Sequence, residues 1–131
     1  MSTILIVDDD SFLLDMYALK FGENAYTVDT AKSVEEALKK LRSGTSFDII
    51  LLDMIMPHLT GLDLLKAIKA ESLGGDPLCI VLSNQGERTD IEAANEAGAD
   101  GYIIKANSIP SEVVRSVKEY AEKKVSAVKQ K

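Results

Sequence analysis

Short apolar runs alternate with longer amphipathic stretches along the whole chain. Five runs have the length of β-strands, at residues 4–7, 26–30, 49–52, 79–82 and 102–104. Each is followed by a stretch with the length and composition of a helix, at about residues 10–23, 33–43, 61–72, 87–97 and 110–128. Five consecutive βα units predict an α/β fold, in which helices cover both faces of a parallel sheet.

The second helical stretch shows its period most clearly. Ser33 followed by Glu36 is a capping-box pattern that predicts where this helix begins, and Gly44 predicts its end. In the first helical stretch, Phe12 and Leu13 are expected to belong to the core. The apolar residues of the second stretch share one helix face: Val34, Ala37, Leu38 and Leu41.

The polarity of the strands predicts their order in the sheet. The first, third and fourth runs are apolar without interruption, as expected for central strands covered on both faces. The second run mixes polar with apolar residues and the fifth is short, so both suit the edges. With right-handed crossovers this gives the order 2-1-3-4-5, a doubly wound, flavodoxin-like sheet with five helices whose switch point lies between strands one and three.

Polar residues stand where four of these strands end. Asp8 and Asp9 follow the first, Asp53 the third, Ser83 the fourth and Lys105 the fifth. In an open parallel sheet they would meet at the carboxyl edge, where ligands bind. Two carboxylates about 5 Å apart repel by roughly 3 kcal/mol at an effective dielectric constant of about 20. Oxygen ligands alone favour a hard cation, so we expect a Mg²⁺ site beside which a hydroxyl and an ammonium could bind phosphate oxygens.

Each of these residues also has a simpler explanation. Asp53 could initiate a turn, Ser83 could form a hydroxyl-capped turn, and Lys105 could be a solvated surface lysine. Asp10 is interpreted as the N-cap of the first helix, which leaves the two preceding aspartates for a metal. Because such polar residues occur at the ends of four strands at once, one shared site is a better explanation than four separate turns.

Bulk properties narrow the class of protein. With 131 residues the chain fits one domain, expected over residues 1–131. A net charge of −6 argues against direct binding to nucleic acid. No apolar run is long enough to cross a membrane or to act as a signal sequence, so we expect a cytoplasmic protein without a membrane partner. Residues 124–131 are interpreted as the basic end of a packing helix, with a helical extension into a further domain as the alternative.

Four segments carry a more specific pattern. They are residues 4–10 (ILIVDDD), 51–61 (LLDMIMPHLTG), 81–83 (VLS) and 97–105 (AGADGYIIK). In this order and at these separations, they resemble the receiver domain of two-component response regulators, and are similar to its stand-alone chemotaxis type. The resemblance covers nearly the whole chain.

This resemblance implies a phosphorylation-dependent signalling switch. Asp53 would accept a phosphoryl group from a sensor histidine kinase or a phosphotransfer protein, by nucleophilic attack of its carboxylate. Mg²⁺ would be held by Asp8, Asp9 and Asp53 together with the backbone carbonyl of Ile55. Such a domain catalyses only its own phosphorylation and dephosphorylation, so we do not expect an enzyme acting on other substrates.

The resemblance also assigns roles to the remaining residues. Lys105 would pair with Asp53 before phosphorylation and with the phosphoryl group afterwards, and Ser83 would move toward a phosphoryl oxygen. Tyr102 resembles the family's switch aromatic and would turn inward, changing the surface of helix four, strand five and helix five for a downstream protein or output domain. Ala106 replaces the proline that usually follows the lysine, which leaves a trans peptide bond or a strained cis one as alternatives.

Two other functions fit part of the pattern. Asp8-x-Asp10, with Ser83 and Lys105 downstream, also resembles haloacid-dehalogenase-type phosphatases. That family needs further acidic metal ligands after the lysine, and Asp53 would have no role in it. The second alternative is an interaction module that keeps the receiver fold without being phosphorylated.

Overall fold

A computed structural model describes residues 2–84 and 86–129, and the side chains at all of these positions except 107 and 124–129. Five strands and five helices alternate in this part of the chain. They are β1 (Thr3–Val7), α1 (Ser11–Glu23), β2 (Thr27–Ala31), α2 (Val34–Arg42), β3 (Ile49–Leu52), α3 (Gly61–Glu71), β4 (Leu78–Ser83), α4 (Arg88–Glu96), β5 (Gly101–Ile104) and α5 (Pro110–Lys129). Residues 130 and 131, the end of the predicted C-terminal segment, lie outside the described residues.

The five strands form one parallel sheet in the order β2-β1-β3-β4-β5, which confirms the predicted order. β1 and β3 are neighbours, and their last residues, Val7 and Leu52, stand opposite each other. The residues that follow these two strands therefore begin side by side at the carboxyl edge of the sheet.

Each face of the sheet has its own core. Along β1, Leu5 and Val7 pack with α2, α3 and α4 on one face, whereas Ile4 and Ile6 pack with α1 and α5 on the other. All four are at most 1% exposed. Side chains of a strand alternate between faces, so a continuous apolar run is what a central strand covered on both sides requires. This two-sided burial fixes the register of β1 against its neighbours.

Side chains cap the helices near the carboxyl edge. The Asp10 carboxylate accepts hydrogen bonds from the backbone N–H groups of Phe12 (3.0 Å) and Leu13 (3.2 Å), as predicted for the N-cap of α1. In α2, Ser33 accepts from the Glu36 amide at 3.0 Å, while the Glu36 carboxylate accepts from the amide of residue 32 at 3.1 Å. The capping pattern in the sequence therefore located the start of α2 correctly.

Lys105 directly follows β5, as predicted, and begins a short 3₁₀ turn, Lys105–Asn107. Two expectations need correction. The second strand spans Thr27–Ala31, one residue later than predicted. Phe12 is 76% exposed and does not belong to the core. The buried face of α1 is set by Leu14 and by residues 17 and 21; a residue two positions before Leu14 points about 200° away from it around the helix.

No helix within the described residues is long and apolar enough to cross a membrane.

Removing the α1 cap should cost stability without involving the neighbouring acidic side chains. We expect Asp10→Ala to lower the free energy of unfolding by about 1 kcal/mol, because two amides lose their acceptor. Asp9→Ala is the matched control, since the exposed Asp9 carboxylate is not the acceptor for these amides. Urea unfolding followed by circular dichroism measures both. Equal losses in the two variants would contradict the assignment of Asp10 as the cap.

Candidate functional site

The carboxyl edge of the sheet brings the predicted polar residues to one place. Asp8 directly follows β1 and Asp53 directly follows β3, and these two strands are adjacent. Their backbones are tied into the sheet, because the Asp8 N–H donates to Ala31 O and the Asp53 N–H donates to Val7 O, both at 3.1 Å. The two aspartates are thus positioned by the central strands themselves and not by a flexible loop.

Three carboxylates form an acidic cluster at this edge. One oxygen from each of Asp8, Asp9 and Asp53 lies within 4.8 Å of the others. Asp8 is only 3% exposed, whereas Asp9 is exposed. An all-oxygen donor set open on one side suits a hard divalent cation that keeps several waters or phosphate oxygens. The cluster could therefore hold a metal ion such as Mg²⁺.

Lys105 bridges two members of the acidic cluster. Its Nζ donates to Asp8 Oδ2 and to Asp53 Oδ2, both at 2.8 Å. The side chains are 9%, 4% and 13% exposed for Lys105, Asp8 and Asp53. The expected pair between Lys105 and Asp53 is present, and the bond to Asp8 was not predicted. One ammonium for two largely buried carboxylates leaves the cluster short of positive charge.

Burial and charge pull on the ionisable groups of the site in opposite directions. Burial raises the pKa of Asp8, although hydrogen bonds from Lys105 and from the Asp10 amide oppose the rise. Burial disfavours the charged form of Lys105, but its bonds to Asp53 and Asp8 outweigh this effect and raise its pKa. Lys105 is therefore an ammonium at neutral pH. Burial therefore makes the ionised form of Asp8 less favourable, and an added cation would stabilise that form.

Ser83 and Tyr102 form the second part of the site. Ser83 ends β4 and is 1% exposed, and Tyr102 lies in the neighbouring strand β5. Burial raises the pKa of Tyr102, a hydrogen bond with the Ser83 side chain opposes the rise, and the charges of Asp90 and Asp53 add to it. The Tyr102 ring also packs against the core on the α4 side, as expected for a partly buried aromatic. The two side chains are therefore hydrogen-bonded, and the charge of Asp53 acts on the tyrosine.

The segment after β3 holds the other side of the Asp53 carboxylate. The Ile55 N–H donates to Asp53 Oδ1 at 3.3 Å. Met54 and Met56 are 7% and 5% exposed, so their side chains anchor the segment in the core. The structure links Ile55 to Asp53 through this amide, and the role predicted for its carbonyl as a metal ligand stays a prediction.

The two alternatives for the bond after Lys105 are resolved. Within the described residues no peptide bond is cis, so the Lys105–Ala106 bond is trans. Lys105 nevertheless reaches both carboxylates. A proline at position 106 is therefore not required for this contact.

Two residues near the site were missed by sequence reasoning. A Cβ at Gly61 would lie 2.2 Å from Asp53 O, and the Gly61 N–H donates to Met54 O at 3.0 Å, so α3 begins directly against the Asp53 backbone. Tyr17 is 3% exposed; burial raises its pKa, and the charges of Lys105, Asp8 and Asp53 also act on it. The Asp53 backbone approaches α3 so closely that position 61 has no room for a side chain, which explains the glycine. For Tyr17, the sequence indicates only that the residue lies on the apolar face of α1.

Comparison with known proteins identifies the family. A model of the response regulator receiver domain matches residues 4–118. Curated relatives include the phosphate regulon transcriptional regulatory protein PhoB of Escherichia coli, 32% identical over 115 residues (88% of this chain and 49% of that protein). Response regulator SaeR of Staphylococcus epidermidis is 38% identical over 114 residues (87% of this chain and 48% of that protein). The chain thus spans about half the length of these relatives.

Solved structures support the same conclusion. Chemotaxis protein CheY4 of Vibrio cholerae superposes with a TM-score of 0.84 at 26% identity, covering 92% of this chain and 98% of that one. The beryllofluoride-activated receiver domain of DrrB gives a TM-score of 0.79 at 26% identity, covering 93% and 98%. This chain belongs to the response regulator receiver domain family. Proteins of this family are phosphorylation-based signalling switches of two-component systems and are not enzymes in the ordinary sense.

Substitution of Gly61 tests the close approach of α3 to Asp53. We expect Gly61→Ala to lower the free energy of unfolding by about 2 kcal/mol, because the added methyl group overlaps the Asp53 carbonyl. Gly22→Ala is the matched control: nothing lies within 4 Å of the methyl it adds to α1, and it should raise stability by about 0.5–1 kcal/mol. Chemical denaturation of both variants gives the comparison. A neutral Gly61→Ala would contradict the contact.

Substitution of Lys105 tests the charge balance of the acidic cluster. Lys105→Met should lower the free energy of unfolding by about 3 kcal/mol without metal, because Asp8 and Asp53 lose their shared cation. MgCl₂ should then stabilise the variant more than it stabilises the wild type. Urea unfolding with and without MgCl₂ measures the difference, with Lys66→Met, an exposed lysine of α3, as the control. Identical Mg²⁺ increments in all three proteins would rule out the shared-cation account.

Proposed function

We propose that Asp53 is the phosphoacceptor of this receiver domain and that the donor is the phosphohistidine of a sensor histidine kinase or phosphotransfer protein. The observation that carries the proposal is the environment of the Asp53 carboxylate. One oxygen is held by the Lys105 ammonium at 2.8 Å and the other by the Ile55 amide at 3.3 Å. Oxygens of two further carboxylates, Asp8 and Asp9, lie within 4.8 Å at the edge of the sheet. This arrangement fixes the orientation of the carboxylate for attack.

The proposed step is a transfer between two nucleophiles. A carboxylate oxygen of Asp53 attacks the phosphorus and forms the O–P bond of an acyl phosphate. The P–N bond of the donor breaks, and its electron pair stays on the imidazole nitrogen, which takes a proton from water. Lys105 already lies against Asp53 and would then pair with a phosphoryl oxygen.

The acidic cluster fits a Mg²⁺ ion in this step. Asp8, Asp9 and Asp53 would supply carboxylate oxygens, and Ile55 its backbone carbonyl. Bound Mg²⁺ would neutralise the charge that spreads over the phosphoryl oxygens in the transition state. The donor chemistry supports this assignment, since within the described part of the chain Lys105 is the one cation that forms ion pairs with any of the three carboxylates.

Ser83 and Tyr102 would carry the change away from Asp53. A phosphoryl group on Asp53 offers strong acceptors, so the Ser83 hydroxyl would donate to one of its oxygens. Because Ser83 and Tyr102 are hydrogen-bonded, that movement would also move the tyrosine. We infer that the surface formed by α4, β5 and α5 is the one that changes.

The partners follow from the domain and from its relatives. PhoB is named as a transcriptional regulatory protein, and this chain covers about half of it. We expect a downstream protein or an attached output domain to receive the signal, with no direct contact between this domain and nucleic acid, because its net charge is −6. The cytoplasmic location expected from the sequence stays a prediction.

The family match does not support the phosphatase alternative. The acidic residues that follow Lys105 and could serve as further metal ligands there, Glu112, Glu119 and Glu122, all lie on α5. The acidic cluster instead includes Asp53, which the phosphatase pattern leaves without a role. An interaction module that is never phosphorylated is the alternative that an experiment must exclude.

Amide NMR spectra with MgCl₂, with and without beryllofluoride, test the proposal. Beryllofluoride is the activator named for the related DrrB receiver domain. We expect shifts around Asp53, Ser83 and Tyr102 in the wild type, because the anion takes the place of a phosphoryl group on Asp53, and no such shifts in Asp53→Asn. Spectra that respond to Mg²⁺ but not to beryllofluoride would indicate the interaction module instead.

A further inference from the structure

Among the strands of residues 2–84 and 86–129, β5 has one neighbour. It pairs with β4 and forms one edge of the sheet, so its outer side carries backbone groups that no strand of this part of the chain satisfies. Such an edge must be covered or otherwise protected, because it is a template for pairing with another chain. On this edge lies Tyr102, the residue whose hydroxyl contacts Ser83.

A side chain from α5 satisfies the outer backbone groups of Tyr102. The Tyr120 hydroxyl accepts a hydrogen bond from the Tyr102 N–H and donates one to the Tyr102 carbonyl, each at 3.4 Å. Both bonds are long, but one hydroxyl serves as donor and acceptor for a single residue of the strand. The Tyr120 hydroxyl therefore occupies the N–H and carbonyl groups of Tyr102 that an added strand would pair with.

Two neighbours hold the Tyr120 ring in this place. A Cβ at Gly101 would lie 2.8–2.9 Å from three atoms of the ring, so the ring packs directly on the β5 backbone where no side chain intervenes. The Lys123 ammonium lies over the ring, 5.9 Å from its centroid. Tyr120 is thus fixed against β5 by contacts beyond its own hydrogen bonds.

Tyr102 is consequently held at two points. Its hydroxyl is linked to Ser83, and its backbone is linked to α5 through Tyr120. We propose that Tyr120 is a positioning residue that fixes the β5 backbone at Tyr102 and couples α5 to the Ser83–Tyr102 pair. The coupling between α5 and the Ser83–Tyr102 pair rests on the proposed function, whereas the fixation of the β5 backbone by Tyr120 does not.

The coupling has a direct physical consequence. If Ser83 moves toward a phosphoryl oxygen, Tyr102 follows its hydrogen-bonded partner, and the Tyr120 hydroxyl must follow or release the Tyr102 backbone. Either response changes the position of Tyr120 on α5, close to Lys123, and this part of α5 belongs to the surface that we expect to change. Removing the hydroxyl of Tyr120 should leave Asp53 chemistry intact and weaken only this transmission.

Tyr120→Phe tests both parts, because it keeps the ring on Gly101 and deletes the hydroxyl. Amide hydrogen exchange measured by NMR should be about fivefold faster at Tyr102, since its N–H loses its acceptor. Tyr26→Phe, at the opposite edge of the sheet, is the matched control and should leave this rate unchanged. Gly101→Ala should accelerate the same amide by displacing the ring. A Tyr102 rate within twofold of wild type in Tyr120→Phe would overturn the proposal.

The coupling is measured on the same samples with MgCl₂ and beryllofluoride. We expect the shifts around Asp53 to be retained in Tyr120→Phe, and the shifts at the α5 amides of Ser116, Glu119 and Lys123 to fall to half or less. Undiminished α5 shifts would overturn the coupling. If the wild type itself does not respond to beryllofluoride, the proposed function fails, and the exchange rates still decide whether Tyr120 fixes Tyr102.

Discussion

The charge balance at the carboxyl edge of β1 and β3 is the constraint on which the rest of the site depends. Asp8 and Asp53 follow the buried ends of two adjacent strands and cannot separate without disturbing the sheet. Lys105, from the far end of the chain, satisfies both of them with one ammonium. The shortage of positive charge that remains is what makes the cluster suited to Mg²⁺ and to a phosphoryl group.

We infer that neighbouring strands carry a change at this site to the edge of the sheet. Ser83 ends β4, and Tyr102 on the neighbouring strand β5 is hydrogen-bonded to it through its side chain, so we infer that a change at Asp53 can reach the sheet edge through these two side chains. Tyr120 then connects that edge to α5. Direct contacts therefore lead from Ser83 through Tyr102 to Tyr120 on α5, and a phosphoryl group on Asp53 would supply the first step by drawing Ser83 toward it.

Much of this could be predicted from the sequence, because strand polarity reports burial directly. The uninterrupted apolar runs gave the central strands, and with them the adjacency of Asp8 and Asp53. Other features depend on distances between parts of the chain that periodicity does not contain. Lys105 reaches Asp8 across 97 positions, and Gly61, the last residue of segment 51–61, is needed because the start of a helix touches the Asp53 carbonyl. Phe12 is a different case, because its exposed position follows from its angle to Leu14 around α1.

The central claim is that Asp53 takes up a phosphoryl group. Intact-mass spectrometry after incubation with MgCl₂ and phosphoramidate, a small donor with the same P–N bond as phosphohistidine, tests it most directly. We expect a mass increase of one phosphoryl group in the wild type, its removal by hydroxylamine because the product is an acyl phosphate, and no increase in Asp53→Asn. An equal increase in Asp53→Asn, or none in the wild type, would contradict it.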